Sequence, residues 1–174
     1  IKNAWQESNS GLGTNRQPGF GTIITGNVPN AIDSGFDVYT PSGSSLKIYQ
    51  SSTNEWLNVS STKRLMDNPK GYFILVRGDR SVTAANQPAT ETILRSTGKL
   101  YTPIDNPPAP VTVLQNKYES VGNPYASAIH FSKIEKRGGI QDAFYVWDPI
   151  LAGNFGLGAY QTFVGVGNGL YRVT

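Results

Sequence analysis

Cysteine is absent from the 174 residues, which excludes disulfide staples, thiolate metal sites and a cysteine nucleophile together. Histidine is almost absent: His130 is the sole imidazole, so a zinc site would have to draw nearly all its ligands from carboxylates. No apolar run approaches the roughly 20 residues of a membrane span. The opening residues IKNAWQESNS do not have the charged and apolar regions of a signal peptide. If the protein is exported, its targeting segments are expected outside this chain. An excess of one charge is also missing, because 15 basic and 12 acidic residues are spread along the length with no run longer than Lys63-Arg64 or Glu135-Lys136-Arg137. Nucleic-acid binding is thereby disfavoured, since phosphate contact requires cations gathered on one face beside stacking aromatics.

What is present points to strands. Nineteen Gly and 11 Pro are interspersed with 9 Tyr, 7 Phe and 3 Trp, a mixture of turn formers and residues that suit a pleated, half-buried surface. The expected class is all-β: a jelly-roll-like β-sandwich of short antiparallel strands with at most one short helix. The length suits one domain, residues 1–174, cut from a longer polypeptide. Period-two reading places strands at FGTIIT (Phe20–Thr25), FDVYT (Phe36–Thr40), SLKIYQ (Ser45–Gln50) and EWLNV (Glu55–Val59), separated by turn-rich GNVPNAIDSG, PSGS and SSTN. GYFILVR (Gly71–Arg77) is the longest continuous apolar run and predicts a central strand buried on both faces. ETILRSTGKLY alternates around Ile93 and Arg95, with Gly98 a bulge or turn. The four prolines of TPIDNPPAP forbid helix and predict a stiff crossover before further strands at VTVLQ and YESV. SAIHFSKIEK is the one helical segment, of one or two turns capped by Ser127. DAFYVWD (Asp142–Asp148), GAYQTFVGV (Gly158–Val166) and the terminal LYRVT read as strands.

The chemistry-bearing residues are few. VGNPYASAIHF (Val121–Phe131) crowds a Gly-Asn-Pro turn, a tyrosine and the histidine into one stretch. Gly122 is expected at a positive φ, and Asn123, placed before Pro124, is pushed toward extended backbone. Without a G-x-S-x-G elbow the neighbouring serines do not make a triad with His130, which reads as structural. Asp33, Asp37 and Asp148 fall at strand ends where turn-forming side chains are common. A paired-carboxylate glycosidase is the least favoured class, and no D-x-D-x-D-G calcium loop occurs. RGDR (Arg77–Arg80) contains an adhesion tripeptide, but the simpler reading is a hairpin turn at Gly78-Asp79 with both arginines in solvent. NVS (Asn58–Ser60) is a formal N-glycosylation acceptor. Trp56, Trp147 and Tyr160, with Trp5 and Phe163, are candidate sugar-stacking aromatics, with core packing the favoured alternative. No catalytic residue, cofactor or metal is assigned.

Taken in order, NAWQE, GYFILVRGDR, ILRSTGKL, VGNPYASAIHF and FYVWDP with GAYQTF resemble a β-rich module of large secreted or cell-surface proteins of the Bacteroidota, which often precedes the C-terminal sorting domain of type IX secretion cargo. The resemblance spans nearly the whole chain. His130 stands where that family commonly has an acidic residue. The resemblance implies a non-enzymatic structural or adhesive role, extracellular or on the outer cell surface. The partners it implies are neighbouring domains of the same polypeptide, other surface proteins or a glycan, with no nucleic acid and no membrane insertion. It also implies a further strand after Thr174, so the sheet edge near LYRVT is expected to be covered in the native assembly.

Overall fold

The computed structural model describes residues 1–7, 19–27, 31–38, 43–66, 69–84, 87–95, 99–153 and 156–174. The chain divides into two units, Ile1–Ala126 and Ser127–Thr174. Each carries one antiparallel three-stranded sheet. Two helical elements lie wholly within the described residues, a five-residue π-type turn, Lys2–Gln6, and a 3-10 turn, Phe131–Lys133. No described helix is long and apolar enough to cross a membrane.

In the first unit β1 (Leu46–Gln50) lies between β2 (Glu55–Asn58) and β3 (Tyr72–Ile74). The β1–β2 hairpin closes through Ser51–Asn54, where Asn54 takes φ 58°, a conformation that asparagine tolerates better than most side chains. Alternation then sorts the faces. Leu46, Ile48, Tyr72 and Ile74 turn to a core built with Ile1, Ile24, Phe36 and Val59, against which Trp5 and Met66 also pack. Lys47, Tyr49, Trp56 and Phe73 take the opposite face, as their register requires.

FGTIIT supplies the most deeply buried stretch of this core without joining a named strand. Ile23 and Ile24 are fully buried, and their neighbourhood is bonded one contact at a time to separate segments. Gly21 N–H donates to Ile93 O (3.0 Å), Thr22 N–H to Trp5 O (2.9 Å) and Ile23 N–H to Gly78 O (3.2 Å), while Ile24 O accepts from Asp37 N–H (2.8 Å). The burial required by two adjacent isoleucines is met, but by several partners instead of one ladder.

Further expectations are corrected. GYFILVR is not a central strand: only Tyr72–Ile74 forms a strand, at an edge, and Leu75 and Val76 are each 43% exposed. Thr22 Oγ1 accepts from both Arg77 N–H and Gly78 N–H at 2.9 Å, which draws the chain off the ladder. VTVLQ and YESV contribute only the isolated bridge of Val121 to Lys70. Pro107, Pro108 and Pro110 remove backbone donors just ahead, and Asn116 turns the chain at φ 57°. The predicted helix shrinks to Phe131–Lys133, preceded by His130 in extended backbone and without a side-chain cap, so Ser127 does not cap it. Gly138 and Gly139, at φ 69° and 83°, leave no room downstream for a longer helix. The corrections at Gly122 and Arg80 are given with their stretches below. FDVYT lies partly outside the described residues, as does PSGS, and Gly98 lies wholly outside them.

In the second unit β4 (Ala143–Asp148), β5 (Ala159–Gly167) and β6 (Leu170–Val173) pair in chain order. Asn168 (φ 52°) and Gly169 (φ 74°) turn β5 into β6, the Asn-Gly pair that a tight hairpin of matching twist prefers. A bulge between Gly165 and Gly167 shifts the register. Phe144 and Phe163, opposite each other, stack with planes 3° apart and centroids 4.8 Å apart. Phe131 and Tyr171 close on Phe144 at 4.3 and 5.1 Å.

Candidate functional site

The aromatic residues that could form a binding surface fall in both units. Trp56 stands across from Tyr49 on the outer face of the first sheet and also packs against Phe73. Their ring centroids are 5.2 and 5.6 Å apart, at interplanar angles of 66° and 58°. Trp147 and Tyr160 are cross-strand partners in the second sheet, 5.0 Å apart at 79°. Tyr49 with Trp56, and Trp147 with Tyr160, meet edge to face, an arrangement that aromatic pairs favour when they pack on each other, while Trp56 and Phe73 are tilted. Within each of these pairs the ring planes are far from parallel. Trp5 belongs to the core, edge-on to Tyr72 at 5.5 Å. Phe163 is held in the phenylalanine stack.

A second grouping of titratable side chains, in the second unit, was not legible in the sequence. Lys136 Nζ lies 3.0 Å from Asp142 Oδ1 and 4.6 Å from the Phe131 ring centroid, and donates to Phe131 O at 3.3 Å. Tyr171 Oη–H donates to the same Asp142 oxygen at 2.7 Å. The hydrogen bond from Tyr171, with that from Lys136, holds the Asp142 carboxyl below its ordinary range, and the bond to Asp142 holds the Lys136 ammonium above its own. Partial burial pushes the Tyr171 hydroxyl up, and its bond to Asp142 adds to this. A protonated tyrosine, a charged lysine and an ionised carboxylate stabilise one another here. None is poised to give up or take a proton near neutral pH. The group joins positions 29 and 35 residues apart, a separation that no local pattern encodes.

VGNPYASAIHF holds the boundary between the two units, which falls after Ala126. Gly122 donates its N–H to Pro69 O at 2.6 Å but is not among the glycines with positive φ. Its expected left-handed conformation is therefore corrected. Close approach is what the glycine serves: an added Cβ would sit 3.3 Å from Lys70 O and 3.4 Å from Pro69 O. Asn123 Oδ1 accepts from Tyr125 N–H (3.2 Å), Pro124 is half-buried, and Tyr125 donates to Asn106 O (3.1 Å) while packing edge-on to Tyr101. His130 is exposed, with Nδ1 2.8 Å from Ser132 Oγ.

No family model, curated protein or solved structure matches this chain.

RGDR does turn, with Gly78 at φ 80° and Asp79 Oδ1 accepting from Ser81 N–H and Oγ–H, both at 2.8 Å. Arg80 is not in solvent, however. Its guanidinium grips Asp37 through Nε (3.0 Å) and Nη2 (2.6 Å), and both side chains are largely buried. Asp37 Oδ2 also accepts from Ile24 N–H at 3.0 Å, so this carboxylate braces the core where the sequence suggested only a turn. Asp148 does serve its turn, accepting from Ile150 N–H at 2.9 Å. Asn58 ends β2 with its side chain exposed. Among the described residues, no three His, Asp or Glu side chains gather as a metal ion would require.

Proposed function

We propose that this chain is a non-enzymatic structural or adhesive module of an exported or cell-surface bacterial protein, acting through protein contacts, and that its strands belong to a jelly-roll-like β-sandwich. The observation that carries the contact reading is the second unit's surface. Residues 127–174 contribute no buried large apolar side chain among the described residues, while Ile129, Val146, Ile150, Val166, Leu170 and Val173 are exposed. A short unit without disulfides ordinarily needs its apolar surface covered by another body. The sandwich reading is supported by short antiparallel strands and by a first sheet with one face on a core. Neighbouring domains of the same polypeptide, or other surface proteins, are the proposed partners.

Hydrogen exchange of the Leu170–Thr174 amides is the test. β6 is the terminal strand of its sheet, and in the longer polypeptide that this reading requires, these amides should exchange more slowly than in the isolated chain. Equal protection, with the isolated chain monomeric, would overturn the contact reading. Carbohydrate binding is the second reading, supported by the grouping of Tyr49, Trp56 and Phe73 on one sheet face. Glycan-array binding that disappears in Trp56→Ala or Trp147→Ala would put it first.

A further inference from the structure

We propose that the buried carboxamide of Gln6 holds one internal water molecule at the junction of three chain segments. Gln6 ends the π-type turn and is 0% exposed. Its Nε2 donates to Gly35 O at 2.9 Å, and the same carbonyl accepts from Thr62 Oγ1 at 2.8 Å. These bonds fix which way the carboxamide points, because rotating it by half a turn would set Oε1 against the Gly35 carbonyl, acceptor facing acceptor. Held in this orientation, Oε1 finds no donor on the protein, the only such buried side-chain atom among the described residues. A buried carbonyl oxygen left without a donor is costly, and groups of this kind are almost always satisfied by protein or by ordered water.

Water fits better than any other small ligand. Oε1 offers a neutral acceptor, and the nearby carboxylates are already committed: Glu7 to Lys2 (3.3 Å) and Asp37 to Arg80 (2.6 Å). A cation would therefore lack the charged ligands it needs. The surroundings are polar for a core, since Thr22 and Thr62 are fully buried alongside Gln6. Globular chains hold roughly one buried water per 27 residues, bound to just such groups. The location gives the water a role. Lys2 N–H donates to Thr62 O (2.8 Å), Thr62 N–H to Ser34 O (3.1 Å) and Ser61 Oγ–H to Ser34 O (2.8 Å), so Gln6 completes a lattice tying residues 2–6, 34–35 and 61–62 together.

A high-resolution crystal structure of the whole chain is the first test, with an enclosed density peak expected about 2.7–3.2 Å from Gln6 Oε1. In solution, the Gln6 side-chain amide protons should show a cross-peak to a long-lived water in rotating-frame NMR spectra. Gln6→Met, close in shape but without the acceptor, should lose the density peak. Finding Oε1 paired with a protein donor, a carboxamide turned the other way, or an unchanged peak in Gln6→Met would overturn the assignment. If Gln6→Met does not fold, the wild-type peak and cross-peak decide the matter.

Discussion

Single residues in this protein are constrained by what their neighbours' backbones occupy. At Gly21, φ is 78° and an added Cβ would overlap the Gln6 carbonyl, a rigid backbone group. At Gly122 the φ is ordinary and the nearest atoms would stand 3.3 and 3.4 Å away. Gly21→Ala should therefore cost about 3 kcal/mol or more, and Gly122→Ala about 1 kcal/mol or less. Urea midpoints of the two variants compare them directly, and a Gly122→Ala loss as large as that of Gly21→Ala would show that the close-contact account is wrong. The exposed His130 side chain makes a local hydrogen bond with Ser132. His130→Gln should accordingly shift stability by no more than about 0.5 kcal/mol and leave any binding unchanged. Loss of a binding activity without unfolding would make the histidine functional.

Between elements, the Lys136, Asp142 and Tyr171 group ties β6 to the segment ahead of β4. Asp142, lowered in the fold, adds stability that is present above the ordinary carboxyl value of about 3.9 and is lost as pH falls through its folded value. Lys136 and Tyr171, raised in the fold, add stability that is present below their ordinary values of about 10.4 and 10 and is lost as pH rises through the folded ones. Protection of the Phe144 and Phe163 amides should thus be flat from about pH 5 to 9 and fall on both sides. In Asp142→Asn the Tyr171 hydroxyl keeps an acceptor, but the acid-side loss specific to this group should disappear. An unchanged acid limb in that variant would show that other carboxylates set it.

Over the whole molecule, apolar side chains are divided unevenly. Among the described residues the buried ones, Leu46 among them at 0% exposure, lie in the first unit, whereas Ile150 of the second is 91% exposed. Leu46→Ala removes packed atoms from a core and should cost about 2–5 kcal/mol. Ile150→Ala should change stability by about 0.5 kcal/mol or less in the isolated chain. The comparison becomes decisive in the longer polypeptide proposed above, where Ile150→Ala should become costly if that surface is covered. A core-like penalty for Ile150→Ala in the isolated chain would instead mean that the side chain is already packed.

The strands that the sequence determined by itself are those whose signals are local. LKIYQ and EWLN alternate across a short turn, AFYVWD is an aromatic and β-branched run closed by Pro149, and AYQTFVGVG and LYRV each follow a glycine. The Asn168-Gly169 turn was equally local and could have been read from that dipeptide. The tertiary structure decided what depends on distant partners. GYFILVR is apolar enough for a central strand, yet Thr22, more than fifty residues away in sequence, accepts the Arg77 and Gly78 amides and ends the ladder early. The aromatic candidates Trp56, Trp147 and Tyr160 were legible as aromatics, but their edge-to-face angles depend on pairing register. Arg80 with Asp37, Lys136 with Asp142 and Tyr171, and the buried Gln6 left no pattern in the chain. Their meaning comes from groups brought together across loops, where charge and hydrogen bonding act over a few ångströms of space and sequence spacing carries no record of it.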